Sequence, residues 1–282
     1  MEKIFDKDVL NEQLIHFLGE CKFEELSENT LKKYNDNLKV FIKDITNKPI
    51  HKDTIIDFKN SLDTEKEFKV KTQNSYIVAI NKFLKFIGYG DFIVKQAKEQ
   101  QSYSLEEFIN YTDYHRLLRT AIRKNDTRAW LLMRVLGETG IRVSELVYFE
   151  LEKLDRSMKI KSKGKTRDII IKIDLLASLR KYAKENKIYS GPIFPGRNPK
   201  KTMHDSNVRK ILKEIAGQSR VLLEKVHPHS FRHYFAKCYL DEHPEDWIGL
   251  ADLLGHTSIE TVRLYGRLSS KEKERKLRKI KF

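Results

Sequence analysis

The sequence predicts a mainly α-helical protein with one small β-sheet, built from an all-α N-terminal domain and an α+β C-terminal domain. Apolar residues recur at spacings of three and four over most of the 282 residues, the signature of helices with one buried face. That period gives way to alternation once, between Met158 and Ile171. Charge divides the chain as well. Residues 1–65 carry 10 Lys against 14 acidic side chains, residues 66–100 carry 7 against 3, and the remaining 182 carry 38 basic against 23 acidic. The whole net charge of +15 therefore resides beyond residue 100, and every arginine lies beyond residue 115. The expected organisation is a helical domain over 1–96, a polar linker over 97–110, a second domain over 111–268 and a basic tail over 269–282.

In the first domain, Asn29-Thr30 is read as the cap of a helix with Leu31, Tyr34, Leu38, Phe41 and Ile42 on one side, closed before Pro49. Lys71-Thr72 opens a second strong helix with Tyr76, Ile80, Phe83 and Ile87 on its apolar face, ended by Gly88-Tyr89-Gly90. Its opposite face shows Asn74, Asn81, Lys82 and Lys85, a basic polar strip expected to enter a nucleic-acid groove. Beyond the linker, helices are expected over Asp113–Lys124 and Asp126–Glu138, the latter stopped by Gly140. Ile160, the turn Lys163-Gly164-Lys165 and Ile169-Ile170-Ile171 describe a β-hairpin with a basic tip. Further helices are expected near Asp174–Asn186, Asp205–Gly217, Ser230–Asp241, Glu245–Leu254 and Ser258–Tyr265. The stretch from Lys271 to Lys281 holds seven basic and two acidic residues beside Leu277 and Ile280.

Composition removes several classes of function. No apolar run reaches the roughly 18 residues needed to span a bilayer, so no membrane partner is expected. The N-terminus lacks a basic-then-apolar leader pattern, which points to the cytoplasm. Cys21 and Cys238 stand apart from any Cys/His cluster and read as reduced thiols. His229 and His233 share a helix face but have no third ligand in view, so no metal is expected. Neither a phosphate-binding Gly-rich loop nor a Gly-x-Ser-x-Gly elbow is present, so no nucleotide cofactor is expected. What the charge favours is a polyanion, through counterion release and the planar fork of arginine.

A scattered set of side chains supplies the parts for phosphodiester cleavage. The non-bridging oxygens gain charge in the transition state, the nucleophile loses a proton and the leaving oxygen gains one. Two guanidiniums can fork onto phosphate oxygens, which suits Arg142 and Arg232. Histidine titrates near neutrality, so His229 can assist proton removal and His256 can donate to the phosphate. Tyr265 is a nucleophile whose phenolate is favoured by cationic neighbours. Lys163 at the hairpin tip is the first candidate to protonate the leaving 5′-oxygen, with Lys165 and Lys161 as alternatives. Arg167 and Lys165 on the same hairpin are expected to touch DNA.

Taken in order, the residues resemble the tyrosine recombinase (integrase) family. Thr139-Gly140-Ile141-Arg142-Val143-Ser144-Glu145-Leu146 is similar to the family's first box. His229-Ser230-Phe231-Arg232-His233 is similar to its second. Leu253-Leu254-Gly255-His256, with Tyr265 nine residues on, is similar to its third. The resemblance implies Arg142, Lys163, His229, Arg232 and His256 around the phosphate and Tyr265 attacking it, leaving a 3′-phosphotyrosyl ester and a free 5′-hydroxyl. It implies that Glu145 and His233 hold catalytic side chains rather than react. It implies an N-terminal core-binding domain completing a C-shaped clamp, a double-stranded DNA site held by a homotetramer, strand exchange through a Holliday junction, a tail docking in trans, and room for accessory DNA-bending proteins. It also implies work on nucleoid DNA. The hairpin departs from the family pattern, since Ser162-Lys163-Gly164-Lys165-Thr166-Arg167 is one residue shorter and starts with serine. Two competing readings are a DNA-binding regulatory protein without catalysis and a monomeric type IB topoisomerase. The intact residue set argues against the first, and the compact length with its tail against the second.

Overall fold

A computed structural model describes residues 4–98, 108–162, 165–255, 262 and 278; of Ser162 and Lys165 it describes only the backbone. The chain divides into two compact units, Met1–Ser102 and Tyr103–Phe282.

The first unit is helical: α1 (Lys7–Phe23), α2 (Glu28–Ile45), α3 (Lys52–Thr64) and α4 (Val70–Phe86), followed by a 3-10 turn at Gly90–Phe92. Its core collects the three-and-four rows of these helices, including Leu10, Leu14, Phe17 and Cys21 from α1 and Leu38, Phe41, Ile42 and Ile45 from α2. Phe17 meets Phe83 edge to face at 5.4 Å between centroids, and Phe41 meets Phe58 likewise at 5.1 Å. Each such ring contributes about 1.5–3 kcal/mol by leaving water. The cap of α2 is Ser27, two residues earlier than expected, with its hydroxyl accepting the Thr30 N–H at 3.3 Å.

The polar face of α4 is not an open strip. Asn81 exchanges two hydrogen bonds with the backbone of Val94, at 2.8 and 3.0 Å. Asn74 does the same with Ala97, at 2.9 Å each. Seven helical residues rise about 10.5 Å and three extended residues span about 10 Å, so the two asparagines hold a returning extended segment in register along the helix. Lys82 pairs with Glu24 beyond the end of α1. Three of the four α4 side chains expected to meet DNA therefore have partners within the unit; the fourth, Lys85, lies exposed in the last turn of α4.

The second unit is built round α6 (Thr127–Thr139), whose Leu131, Leu132, Met133, Val135 and Leu136 are all buried. A helix apolar on every side belongs in the interior. Packed on it are α5 (Tyr111–Arg123), α7 (Ile173–Glu185), α8 (Asp205–Ala216) and α9 (Pro228–Glu242). The hairpin pairs β1 (Ser157–Ser162) with β2 (Lys165–Ile170) antiparallel, from Ser157 opposite Ile170 to Ser162 opposite Lys165. Met158, Ile160 and Ile169 turn inward by strand alternation. One strand lies against the 3-10 helix Val143–Tyr148 and the other against α10 (Trp247–Leu254). The hairpin is thereby wedged between the first and third sequence boxes.

The segment read as linker packs from Phe108 onward: Ile109 is in the core, and Asn110 caps α5 in a reciprocal box with Asp113. The linker reading through residue 110 therefore runs too far. Among the described residues no helix is long and apolar enough to cross a membrane. The helix expected over Ser258–Tyr265 and the tail from 269 lie outside the described residues, apart from Val262 and Arg278.

Candidate active site

Two helix ends organise the site. Gly140 closes α6 and Gly255 closes α10, each in the left-handed conformation with φ +62°. Glycine takes that conformation without strain. Both are also crowded: a Cβ at Gly140 would meet Phe235 at 2.5 Å, and one at Gly255 would meet Cδ of Arg167 at 2.7 Å. The helix stops thus serve two purposes, turning the chain and letting neighbouring side chains press against it.

The last carbonyls of a helix lack intrahelical partners and carry the negative end of its dipole. At the end of α10 three successive carbonyls, of Leu253, Leu254 and the closing Gly255, each receive an arginine. Arg167 Nη1 donates to Leu253 O. Arg232 Nη2 donates to Leu254 O at 2.5 Å. Arg142 Nη2 reaches Gly255 O at 3.5 Å, a long contact. Arg232 also donates through Nη1 to Gly140 O at 2.7 Å, joining the ends of α6 and α10. Its side chain is 1% exposed.

Beneath this cluster lies Glu145, also 1% exposed. Its carboxylate accepts from the Arg142 N–H at 2.8 Å, from Arg142 Nη1 at 3.0 Å and from Arg167 Nη2 at 2.6 Å. Burial pushes this carboxyl upward, but the Arg142 backbone N–H and the Arg167 charge outweigh it, so its pKa lies below the ordinary glutamate value. Glu145 is therefore ionised, and its single negative charge is shared by the guanidiniums of Arg142 and Arg167, with Arg232 on the same helix end. The local excess of positive charge suits a dianionic transition state.

Arg167 departs from expectation. It is expected to touch DNA; its side chain is 7% exposed, with both ends of its fork engaged inside the protein. A strand residue whose partner lies 86 positions away leaves no local trace in the sequence.

The second box opens α9. His227 is its cap, with Nδ1 accepting the Ser230 N–H at 3.3 Å, and Pro228 occupies the first helical position. Helix α9 thus begins before Ser230, and His229 sits in its first turn. Positions 229, 232 and 233 share one helix face. The His229 ring stands edge to face on His233 at 4.7 Å, and His233 stacks on Phe108 at 3.6 Å. Phe108 is the site residue that sequence reading missed. Its signal was the apolar pair Phe108-Ile109 directly before a capping asparagine.

The structure thus brings Arg142, Glu145, Arg167 and Arg232 together at the end of α10, with His229 and His233 on the helix that carries Arg232. Lys163, His256 and Tyr265 lie outside the described residues, as does the side chain of Lys165.

A helical core, a basic hairpin and an arginine cluster at two helix ends are the furniture of a DNA breaking-and-rejoining tyrosine recombinase, and the chain belongs to the phage integrase family, whose model matches residues 107–272. Tyrosine recombinase XerA of Pyrococcus furiosus is 26% identical over 273 residues, covering 94% of this chain and 93% of that protein. The fold is shared with XerH recombinase bound to its difH substrate, at a TM-score of 0.70 and 18% identity, covering 98% of this chain and 97% of that one. It is shared also with a lambda integrase tetramer bound to a Holliday junction, at a TM-score of 0.72 and 18% identity, covering 93% and 79%.

Proposed function

We propose that the protein recombines DNA at a specific site by cleaving and rejoining strands through a 3′-phosphotyrosyl intermediate, with exchange through a Holliday junction. The observation that carries this reading is the convergence of Arg142 and Arg232 on the carbonyls directly preceding His256, over a buried and ionised Glu145. In the transition state Arg142, Arg232 and His256 stabilise the non-bridging oxygens, and for Arg232, which is buried and donates to Gly140 O and Leu254 O, this requires its guanidinium to turn toward the phosphate when DNA binds. Each well-aimed donor of this kind supplies about 3 kcal/mol. Tyr265 attacks phosphorus as its proton leaves with the help of His229, and cationic neighbours favour the phenolate over its free pKa of about 10. Lys163 donates a proton to the departing 5′-oxygen, and Lys165 is the alternative donor. The new ester conserves the bond energy, so a second 5′-hydroxyl reseals it without ATP. Glu145 and His233 hold their neighbours in place.

The N-terminal unit grips the duplex as a core-binding domain, the C-terminal unit performs the chemistry, and four protomers assemble on paired sites with the basic tail docking on a neighbour. DNA-bound XerH and the lambda integrase tetramer support this partner and assembly. The work is done where chromosomal DNA lies, in the cytoplasm. A nicked suicide duplex, carrying a site selected from a random-sequence library with the whole protein, tests the reading. The expected result is a covalent adduct from wild type and none from Tyr265→Phe. Tight binding without any adduct would leave a DNA-binding protein, and relaxation of plasmids lacking the site would indicate a topoisomerase.

A further inference from the structure

We propose that Arg167 is a positioning residue of the strand-transfer reaction, locking the β-hairpin, Glu145 and the end of α10 into one unit. The inference rests on the recombinase reading above and assigns a role to a side chain that the phosphate clamp does not include. Among the described side chains of the hairpin, that of Arg167 hydrogen-bonds to both the first and the third box. Its Nη2 meets Glu145 at 2.6 Å, and Glu145 in turn grips both the backbone and the guanidinium of Arg142. Its Nη1 meets the carbonyl of Leu253, two residues before Gly255. Its aliphatic stem fills the space that Gly255 leaves by lacking a Cβ.

Geometry explains why arginine is needed. The two acceptors lie on different elements, and a planar fork with fixed donor directions reaches both at once. Lysine offers one compact ammonium and cannot bridge them in the same way. The hairpin, by contrast, has only two strands, and an isolated two-stranded ribbon is marginal in water. Its tip lysine needs an anchor to hold a fixed relation to the phosphate, and Arg167 is the charged anchor within β2. When it is lost, the Glu145 carboxylate retains only Arg142, while Leu253 O loses its donor. Arg142 and the turn leading to His256 then shift together.

Single-turnover cleavage at saturating protein tests this, with Arg167→Lys and Arg167→Met compared on two suicide duplexes bearing the library-selected site. One duplex has the normal 5′-bridging oxygen; the other has sulfur there, a leaving group that needs no proton. The expected result is a saturated rate lowered about 100-fold in Arg167→Lys on both duplexes, as for a misplacement near 1 Å. DNA affinity and its salt slope should stay within about twofold of wild type. An unchanged saturated rate, with weaker binding and a salt slope smaller by about one phosphate, would make Arg167 a DNA contact and overturn the proposal. Full rescue by sulfur would also overturn it, because Arg167 would then serve the leaving-group lysine alone. Should Arg167→Met fail to unfold cooperatively, the Arg167→Lys rates decide. A wild-type protein that forms no adduct on either duplex would overturn the nucleophile reading and this proposal together. An active wild type with an indifferent Arg167→Lys would overturn this proposal alone.

Discussion

Replacing Glu145 by glutamine should unsettle the C-terminal unit as well as its chemistry, and the structure sets the scale. The carboxylate accepts three N–H groups, two of them from guanidiniums, and is almost fully buried. Glutamine keeps one acceptor, enough for the Arg142 backbone, but turns an NH2 toward an arginine. Hydrogen bonds to charged groups are worth about 1.5–3 kcal/mol each, and removing one partner of a buried pair costs about 3–5 kcal/mol. The Arg142 side chain is 29% exposed, so water recovers part of that loss. The expected destabilisation is about 3 kcal/mol, which lowers the melting temperature of a unit this size by about 6–12 °C. Both tryptophans, Trp130 and Trp247, fall in this unit, so intrinsic fluorescence in a urea titration reports it selectively. The depressed pKa of Glu145 adds a second signature. Its ionised form stabilises the fold fully above the ordinary glutamate range near 4.3, and that contribution fades as pH falls through the lower, folded value. Wild type and Glu145→Gln should therefore converge in acid. A difference below about 1 kcal/mol at pH 7, or one that does not shrink in acid, would refute the reasoning.

Two further outcomes follow from particular contacts. Asn81→Ala should loosen the Val94 segment and lower the stability of the N-terminal unit by about 1–3 kcal/mol. Its DNA affinity at fixed salt should stay within about twofold of wild type; a loss of about tenfold, roughly 1.4 kcal/mol, would return Asn81 to the DNA surface. Gly140→Ala combines a left-handed backbone with a 2.5 Å approach to Phe235, so it should cost more than the roughly 1 kcal/mol of the backbone penalty alone. A variant as stable as wild type in the same urea titration would show that Phe235 moves aside freely.

The parts of the fold that sequence made legible are those whose cause is local. Helix α6 ends where Gly140 stands, and the hairpin announces itself by alternation around Lys163-Gly164. Glu145 was expected to support its neighbours only through the family resemblance; the 3-10 turn that brings its carboxylate back to Arg142 had no sequence signal of its own. The internal partners of Arg167 were not legible, because they come from α10 and the first box and nothing beside it in the chain points to them. The partners of Asn74 and Asn81 were hidden for a related reason. A polar helix face looks the same whether water, DNA or a returning stretch of chain covers it, and here the segment at Val94 and Ala97 takes both asparagines. Phe108 was lost inside a polar stretch whose composition outweighed the apolar pair at its end.

The recombinase reading turns on Tyr265 as the nucleophile, and identifying the attacking residue by direct attachment is the sharpest test. The wild-type protein, trapped on a suicide duplex bearing the library-selected site, is digested and the nucleotide-linked peptide is identified by mass spectrometry. The link should fall on Tyr265, one of 12 tyrosines, through the 3′-phosphate, with a free 5′-hydroxyl on the released strand. Attachment to any other residue, or through a 5′-phosphate, would contradict it.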